Sequence, residues 1–356
     1  MFQRQARQPF PVRNIIILAV AVLLFFLYIA NSLKHASAAV NTPEKERESV
    51  KRDSGLTPNE WFYIAREYPD FRVDVATYEQ ALQSAALSLQ DRNGGYSGFS
   101  TPWTLEGPGN IGARVNTIKV HPTNPNIIYI GYATGGVWKT TNGGASWQPI
   151  FDQQAFLSIG DIELDPQNPQ IVYVGTGDPS ISGYPFIGDG LWKSTNGGQT
   201  WQHLGLNAQR VISKIIVHPT SPNTLYVSAM GLPFERNNDR GVYKTTDGGQ
   251  NWQQVLFVSN QSGAIDLLMS PANPNVLYAA VWDRIRNNKE SVVSGPNARV
   301  WKTSDAGAHW NMLGNGLPQE NRSRIGLDID KHNTNHLVAV YTGTNLNFDR
   351  LYESFD

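Results

Sequence analysis

Four stretches of the chain are near copies of one another: Thr140-Thr-Asn-Gly-Gly-Ala-Ser-Trp147, Ser194-Thr-Asn-Gly-Gly-Gln-Thr-Trp201, Thr245-Thr-Asp-Gly-Gly-Gln-Asn-Trp252 and Thr303-Ser-Asp-Ala-Gly-Ala-His-Trp310. Each reads Ser/Thr-x-Asp/Asn-x-Gly-x-x-Trp and follows an apolar pair and a lysine, as in Val137-Trp-Lys139 and Val242-Tyr-Lys244. Their starts lie 54, 51 and 58 residues apart. A period of that size, carried by β-rich runs and glycine turns, predicts an all-β propeller of four-stranded blades. A fifth copy opens at Ser354-Phe-Asp356, where the sequence stops. The expectation is four blades and most of a fifth, an incomplete ring read as the N-terminal part of a longer protein.

The motif residues have turn chemistry. Asn or Asp followed by Gly between apolar-alternating runs is a strong hairpin signal, because both accept positive φ at low cost. The hydroxyls of Thr140, Ser194, Thr245 and Thr303 and the side chains of Asn142, Asn196, Asp247 and Asp305 can bond neighbouring backbone groups. Gly144, Gly198, Gly249 and Gly307 permit the turn, and Trp147, Trp201, Trp252 and Trp310 can fold over it. A catalytic residue is needed once and not in every blade, so the boxes are read as structural. A second repeat, Val120-His-Pro-Thr-Asn-Pro-Asn126, is echoed at Leu164–Gln170, Val217–Asn223, Met269–Asn275 and, degraded, at Ile329–Asn335. Each copy is a Pro/Asn turn followed by a strand. The His of two copies becomes Asp or Ser in others, which makes it a poor metal ligand.

The repeats resemble the Asp-box (BNR) repeats of sialidases, sortilin-type sorting receptors and xyloglucan hydrolases. The chain is most similar to exported bacterial sortilin-like BNR proteins, often labelled glycosyl hydrolases. The resemblance covers about residues 101–356 and also rests on Trp103–Arg114, Tyr173–Asp178, Arg240–Tyr243, Ser262–Asp266 and Ser323–Gly326. It implies a propeller and leaves the reaction, if any, open.

At 40% hydrophobic, with 10 Trp, 32 Gly and 21 Pro, the chain suits a large turn-rich β-core. A formal net charge of -1 offers no field for nucleic acid. The absence of cysteine excludes disulfides, thiolate zinc sites and a cysteine nucleophile. No metal-ligand spacing occurs, and neither a metal nor a cofactor is expected.

Arg4, Arg7 and Arg13 precede an uncharged run from Ile15 to Ala30. Residues 1–40 are either a signal anchor facing the periplasm or a signal peptide cleaved at Ala36-Ser37-Ala38, and both readings export the body across a bacterial inner membrane. Residues 41–56 form a polar linker and 57–100 a two-helix pad. The first helix starts at Thr57-Pro-Asn-Glu60; the second spans about Val73–Gln90, with Tyr78, Leu82, Ala85, Ala86 and Leu89 at helical spacing. The propeller occupies 101–356.

In the strand before each Pro turn, the residues two and four before the Pro position are aliphatic (Val120/Ile118, Leu164/Ile162, Val217/Ile215, Met269/Leu267, Ile329/Leu327) and are expected to pack between blades. Five before it stand Thr117, Asp161, Lys214, Asp266 and Gly326, a position that changes chemistry from blade to blade. It is either a solvated strand face or a channel site. Asp161 and Asp266 form the best acid/base pair for a glycosidase, and Arg114, Asp178, Arg210, Lys214 and Arg324 are candidate binding residues. The sialidase Arg-Ile-Pro motif is absent. The leading expectation is a non-catalytic, membrane-associated module that binds a protein or glycan. The rivals are a sialidase- or xyloglucanase-like hydrolase and a sortilin-like sorting or assembly factor.

Overall fold

The computed structural model describes residues 74–92 and 113–355, all within one unit, Phe62–Asp356. The apolar N-terminal segment, the linker, the Thr57 helix and Trp103–Gly112 lie outside the described residues. Among the described residues no helix is long and apolar enough to cross a membrane.

Each repeat folds as one antiparallel sheet in chain order. Strands β1–β4 are Val115–Val120, Ile128–Tyr132, Val137–Thr140 and Gln148–Pro149; β5–β8 are Ile159–Leu164, Val172–Thr176, Leu191–Ser194 and Gln202–His203. The third blade holds β9–β12: Ile212–Val217, Leu225–Ala229, Gly241–Thr245 and Gln253–Leu256. The fourth pairs β13 (Ser262–Met269), β14 (Leu277–Asp283), β17 (Val300–Thr303) and β18 (Asn311–Met312), with a small hairpin, β15 (Ile285–Arg286) and β16 (Ser291–Val292), inserted between β14 and β17. A three-stranded sheet follows: β19 (Ile325–Ile329), β20 (Leu337–Thr342) and β21 (Phe348–Ser354). The first strands β1, β5, β9, β13 and β19 pack successively on one another, as the inner strands of a propeller do.

In the second and third blades, and at Leu267 of the fourth, the aliphatic pairs behave as their spacing predicts. Ile162, Ile215 and Leu267 are fully buried, and Leu164 and Val217 nearly so. In the first blade the same positions are open, Ile118 at 62% and Val120 at 48% exposure.

All four boxes share one hydrogen-bond pattern. The Thr140 hydroxyl donates to Asn142 Oδ1 (2.8 Å) and accepts from Gly144 N (3.0 Å), while Asn142 Oδ1 accepts from Ser146 N (2.9 Å). The corresponding bonds recur at Ser194, Thr245 and Thr303. The residue after the Asx is in the left-handed region, with φ of 69°, 69° and 75° at Gly143, Gly197 and Gly248; in the last box Ala306 takes it at 58°.

The tryptophans do more than cover their own turns. Trp201 Nε1 donates to Ile150 O (2.7 Å) and Trp252 Nε1 to Leu204 O (2.9 Å), both in the preceding blade. The preceding blade also reaches forward. Lys139 stacks over Tyr129, its cross-strand partner, at 5.1 Å and donates to Gly197 O (2.8 Å) of the next box. Lys244 and Tyr226 do the same to Ala306 O (2.8 and 2.9 Å). Burial pushes the Tyr129 and Tyr226 hydroxyls up to about 12 and lowers Lys139. The boxes at Ser194, Thr245 and Thr303 thus each staple their blade to the one before it. In the Pro turns, His121 Nδ1 and His218 Nδ1 accept from Thr123 N and Thr220 N (both 3.3 Å), as Asp165 does from Gln167 N (2.8 Å). That shared role explains why His and Asp interchange there.

A helix, α1, spans Val75–Arg92 and is capped by Asp74, which accepts from Ala76 N (3.1 Å). Val75, Tyr78 and Leu82 pack against Phe156, Ile187 and Phe234, while Ala85 is exposed. Of the expected stripe, Tyr78 and Leu82 pack, joined by Val75, and Ala85 does not; the side chains of Ala86 and Leu89 lie outside those described.

Two predictions follow from the staples. Trp201→Ala should cost about 3 kcal/mol in denaturant unfolding, from lost packing and an orphaned carbonyl. Trp147→Ala should cost roughly half as much, because its indole donates to no carbonyl among the described residues; equal costs would remove the staple. Backbone and side-chain donors hold the Asp247 carboxyl well below the ordinary range. A carboxyl depressed in the folded state contributes stability above its unfolded pKa, roughly 4, and loses it as pH falls. Asp247→Asn, the residue of the first two boxes, should melt near the parent at neutral pH and lose less stability on acidification below about pH 4.

Candidate channel site

The inner strands carry a feature that alternation alone hides. In four of them one extra residue breaks the register immediately before the variable position: Asn116, Gly160, Ser213 and Ile265. These β-bulges re-aim the residues that follow. Two bulge residues bond the next blade directly, Asn116 Nδ2 donating to Ile159 O (2.8 Å) and the Ser213 hydroxyl to Ala264 O (2.6 Å). Gly160 meets Ile212 so closely that a Cβ would lie 1.8 Å from its carbonyl oxygen.

Asp161 is 5% exposed and engaged through both oxygens: Oδ1 accepts from the Thr117 hydroxyl (2.8 Å) and Oδ2 from Ile215 N (2.9 Å) of the next blade. Asp266 accepts from Leu267 N and, across the blade boundary, from Leu327 N (both 2.9 Å). The two carboxylates therefore cap inner-edge amides that no strand pairs. The variable position is accordingly no solvated face in these two blades.

Lys214 stands on the intervening strand between them. Asp161 raises its pKa most, against desolvation, with Asp266, Glu163 and Asp328 adding, so its ammonium is held charged. Burial raises the Asp266 and Glu163 carboxyls, opposed by Lys214 and Lys119 respectively. Lys119 Nζ pairs with Glu163 at 2.6 Å.

Beside this cluster Arg114 pairs with Asp178, which is fully buried and also accepts from Asn116 Nδ2 (3.1 Å) and Ser180 N (3.0 Å). Arg324 is open to solvent yet surrounded by protein; desolvation lowers its pKa, while Asp266 and Asp178 raise it. Arg114, Asp178, Arg324, Asp266, Lys214 and Asp161 thus form one charged run across the blades. Arg210 stands apart, paired with Glu79 of α1. Lys119, Glu163 and Asp328 are charged neighbours of this run that the sequence reading did not single out. Their signal was present three residues before each Pro position, where Ile216 and Leu268 replace charge by aliphatic side chains.

Box turns and Pro turns share one end of the sheets; the long connections 177–190, 230–240 and 284–299 share the other. Buried arginines hold that loop end by bonding main-chain carbonyls. Arg240 donates to Leu232 O (2.6 Å), Glu235 O (2.9 Å) and Arg284 O (3.1 Å); Arg284 to Val292 O (3.0 Å) and Ile181 O; Arg299 to Ala298 O (2.8 Å) and Gln319 O. Burial lowers Arg240 to about 10, so it stays protonated at neutral pH.

If Asp161 braces two blades, Asp161→Ala should cost about 2–3 kcal/mol by stranding the Ile215 amide, and Asp161→Asn about 1 kcal/mol because one acceptor survives. Urea midpoints of the two variants check the ordering.

Residues 189–347 match the family model described as Sortilin, neurotensin receptor 3. A curated relative, the photosystem II assembly lipoprotein Ycf48 of Synechococcus sp. (strain CC9902), is 25% identical over 210 residues, 57% of this chain and 53% of the relative. The chain thus spans about half the length of the curated relative it matches. Among solved structures, the GH74 enzyme of Niastella koreensis aligns with a TM-score of 0.50 at 23% identity, over 68% of this chain and 37% of that one. An ancestral GH74 enzyme aligns at 0.51 and 23%, over 69% and 33%. At that identity the likeness carries the fold alone. On its repeats, its blades and these matches together, the chain is similar to the sortilin-like Asp-box propeller proteins.

Proposed function

We propose that the chain is a non-catalytic binding propeller that holds a protein or glycan partner through its charged channel and arginine-built loop end. The observation that carries this reading is the engagement of Asp161 and Asp266. All four oxygens accept hydrogen bonds from the frame, three from backbone amides, and Lys214 lies between the two carboxylates. A general acid must give up a proton to its substrate and a nucleophile must present a free lone pair. Carboxylates committed to inter-blade amides do neither well. Loops positioned by a rigid scaffold, by contrast, suit recognition.

The likeness to an assembly lipoprotein supports partner binding as the work of such a propeller and favours a protein partner. It is also consistent with an exported protein; the reading of residues 1–40 as anchor or cleaved signal rests on the sequence. The GH74 likeness bears on the fold and adds no argument for hydrolysis.

The test is a turnover screen of the full chain and its Asp161→Asn and Asp266→Asn variants against aryl glycosides, sialosides and xyloglucan oligomers. The expected result is no turnover by any of them, with cooperative melting showing a folded protein. Parent activity lost in either variant would establish a hydrolase instead.

A further inference from the structure

Six pairs in the sequence place Asn or Asp directly before Gly: Asn93-Gly94, Asn142-Gly143, Asp189-Gly190, Asn196-Gly197, Asp247-Gly248 and Asn315-Gly316. Such a pair carries chemistry of its own, because glycine has no side chain to keep the preceding side-chain carbonyl away from its amide nitrogen. Ring closure between the two needs an amide nitrogen that no acceptor holds and a side chain able to turn onto it. Asn93-Gly94 lies outside the described residues, and the other five can be compared.

In four of the five the glycine amide is taken. Gly143 N donates to Asn126 O (3.0 Å), Gly197 N to Gln170 O (2.8 Å) and Gly248 N to Asn223 O (2.9 Å), so each box turn docks on the Pro turn of its own blade. Gly190 N donates to the Thr176 hydroxyl (3.0 Å). The side chains before these glycines are held as well. Asn142 bonds the Thr140 hydroxyl, Ser146 N and the Ser146 hydroxyl, and Asn196 bonds the same groups of Ser194 and Thr200. Asp247 is engaged by Thr245 and Asn251, and Asp189 by Thr176 and the Trp192 indole.

Asn315-Gly316 has neither restraint. It forms the centre of a β-turn closed by Leu317 N and Gly314 O (3.3 Å), and a β-turn engages only the amide of its fourth residue. Gly316 N and the Asn315 side chain have no hydrogen-bond partner among the described residues. Gln319 Nε2 braces the flanks, donating to Gly314 O (3.2 Å) and Leu317 O (3.1 Å), and leaves the central pair untouched. Both central residues are exposed, and a Cβ on Gly316 would meet nothing within 4 Å. The place five residues past the box tryptophan is likewise exposed at Asp152 and Phe257, each with a further blade beside it; in the second blade a short helical turn, Asn207–Gln209, departs from the pattern.

We propose that Asn315 is a site of self-modification, the one among the described Asn-Gly pairs that folding leaves reactive. The Gly316 amide nitrogen attacks the Asn315 side-chain carbonyl carbon. Its proton passes through solvent to the side-chain nitrogen, which leaves as ammonia, and a succinimide ring closes. Water then adds to one of the two ring carbonyls and opens the ring. One opening gives aspartate in an unchanged main chain; the other gives isoaspartate, whose main chain runs through the former side chain. Water is the only co-reactant. Either product places a carboxylate in the turn, and isoaspartate also lengthens the connection from β18 to β19. The docking of box turn on Pro turn that builds the blades thus shields Asn142 and Asn196. This site is separate from the channel, and its test does not depend on what the channel binds.

The experiment incubates the folded full chain at mildly alkaline pH and maps its peptides over time by mass spectrometry, with enzymatic methyl labelling to mark isoaspartate. A parallel sample is held unfolded in urea. In the folded protein Asn315 should convert at least about tenfold faster than Asn142 or Asn196, since releasing a bonded amide costs on that order. In urea the three rates should converge, because each asparagine is then followed by an unrestrained glycine. Conversion of Asn142 or Asn196 as fast as Asn315 in the folded protein would overturn the proposal. So would an Asn315 that stays intact while the unfolded sample reacts. The same ranking by the same factor in urea would overturn it too, by assigning the difference to local sequence and not to the fold.

Discussion

One hydroxyl per blade, that of Thr140, Ser194, Thr245 or Thr303, organises the box end of the molecule. It donates to the Asx oxygen two residues on and accepts from the glycine amide four residues on, both within hydrogen-bond distance in every copy. With those bonds made, the Asx oxygen also accepts the amide just before the tryptophan. Only then can Trp201 and Trp252 reach carbonyls of the blade before, and only then does the turn carbonyl face that blade's Tyr–Lys pair. A local turn becomes the link between units that would otherwise touch only through aliphatic faces. In a repeat protein, stability is approximately a sum of unit terms and nearest-neighbour terms. These bonds supply the polar part of the second term.

The two ends of the sheets divide the labour. At the box end four turns are built alike from nearly the same residues. At the loop end the connections differ in length and sequence, and buried guanidinium groups fix them by filling carbonyl lone pairs that irregular backbone would leave unsatisfied. Arg240 and Arg284 serve three successive connections between them. The charged run from Arg114 to Asp161 lies along the inner strands that this scaffold positions. Uniformity at one end leaves the other free to vary.

Inner-strand edges pose a problem that propellers must solve, since each presents backbone groups that no neighbouring strand pairs. Here Asp161 and Asp266 cap amides of the next strand, while Asn116 and Ser213 cap carbonyls. Side chains that resemble catalytic groups in the sequence thus have bonded roles in the frame, and the bulges give them the reach.

The sequence by itself determined the repeat, the turn chemistry of the boxes, the aliphatic pairs between blades and a helix near residues 75–92. All of these depend on contacts within a few residues or on periodicity, which a linear string records. It also contained Asp161, Asp266, Lys214, Arg114, Asp178 and Arg324, but not their relations. Whether Asp161 meets water or the Ile215 amide depends on a bulge at Gly160 and on the placement of a strand some fifty residues later. The direction of Trp201, covering its turn and binding the blade before it, was likewise settled by packing. The same holds for α1, whose apolar stripe was legible while the packed subset, Val75, Tyr78 and Leu82, was chosen by the surface at Phe156 and Phe234. Only the tertiary structure decides such matters, because hydrogen bonds and burial between distant segments depend on the relative position of whole sheets.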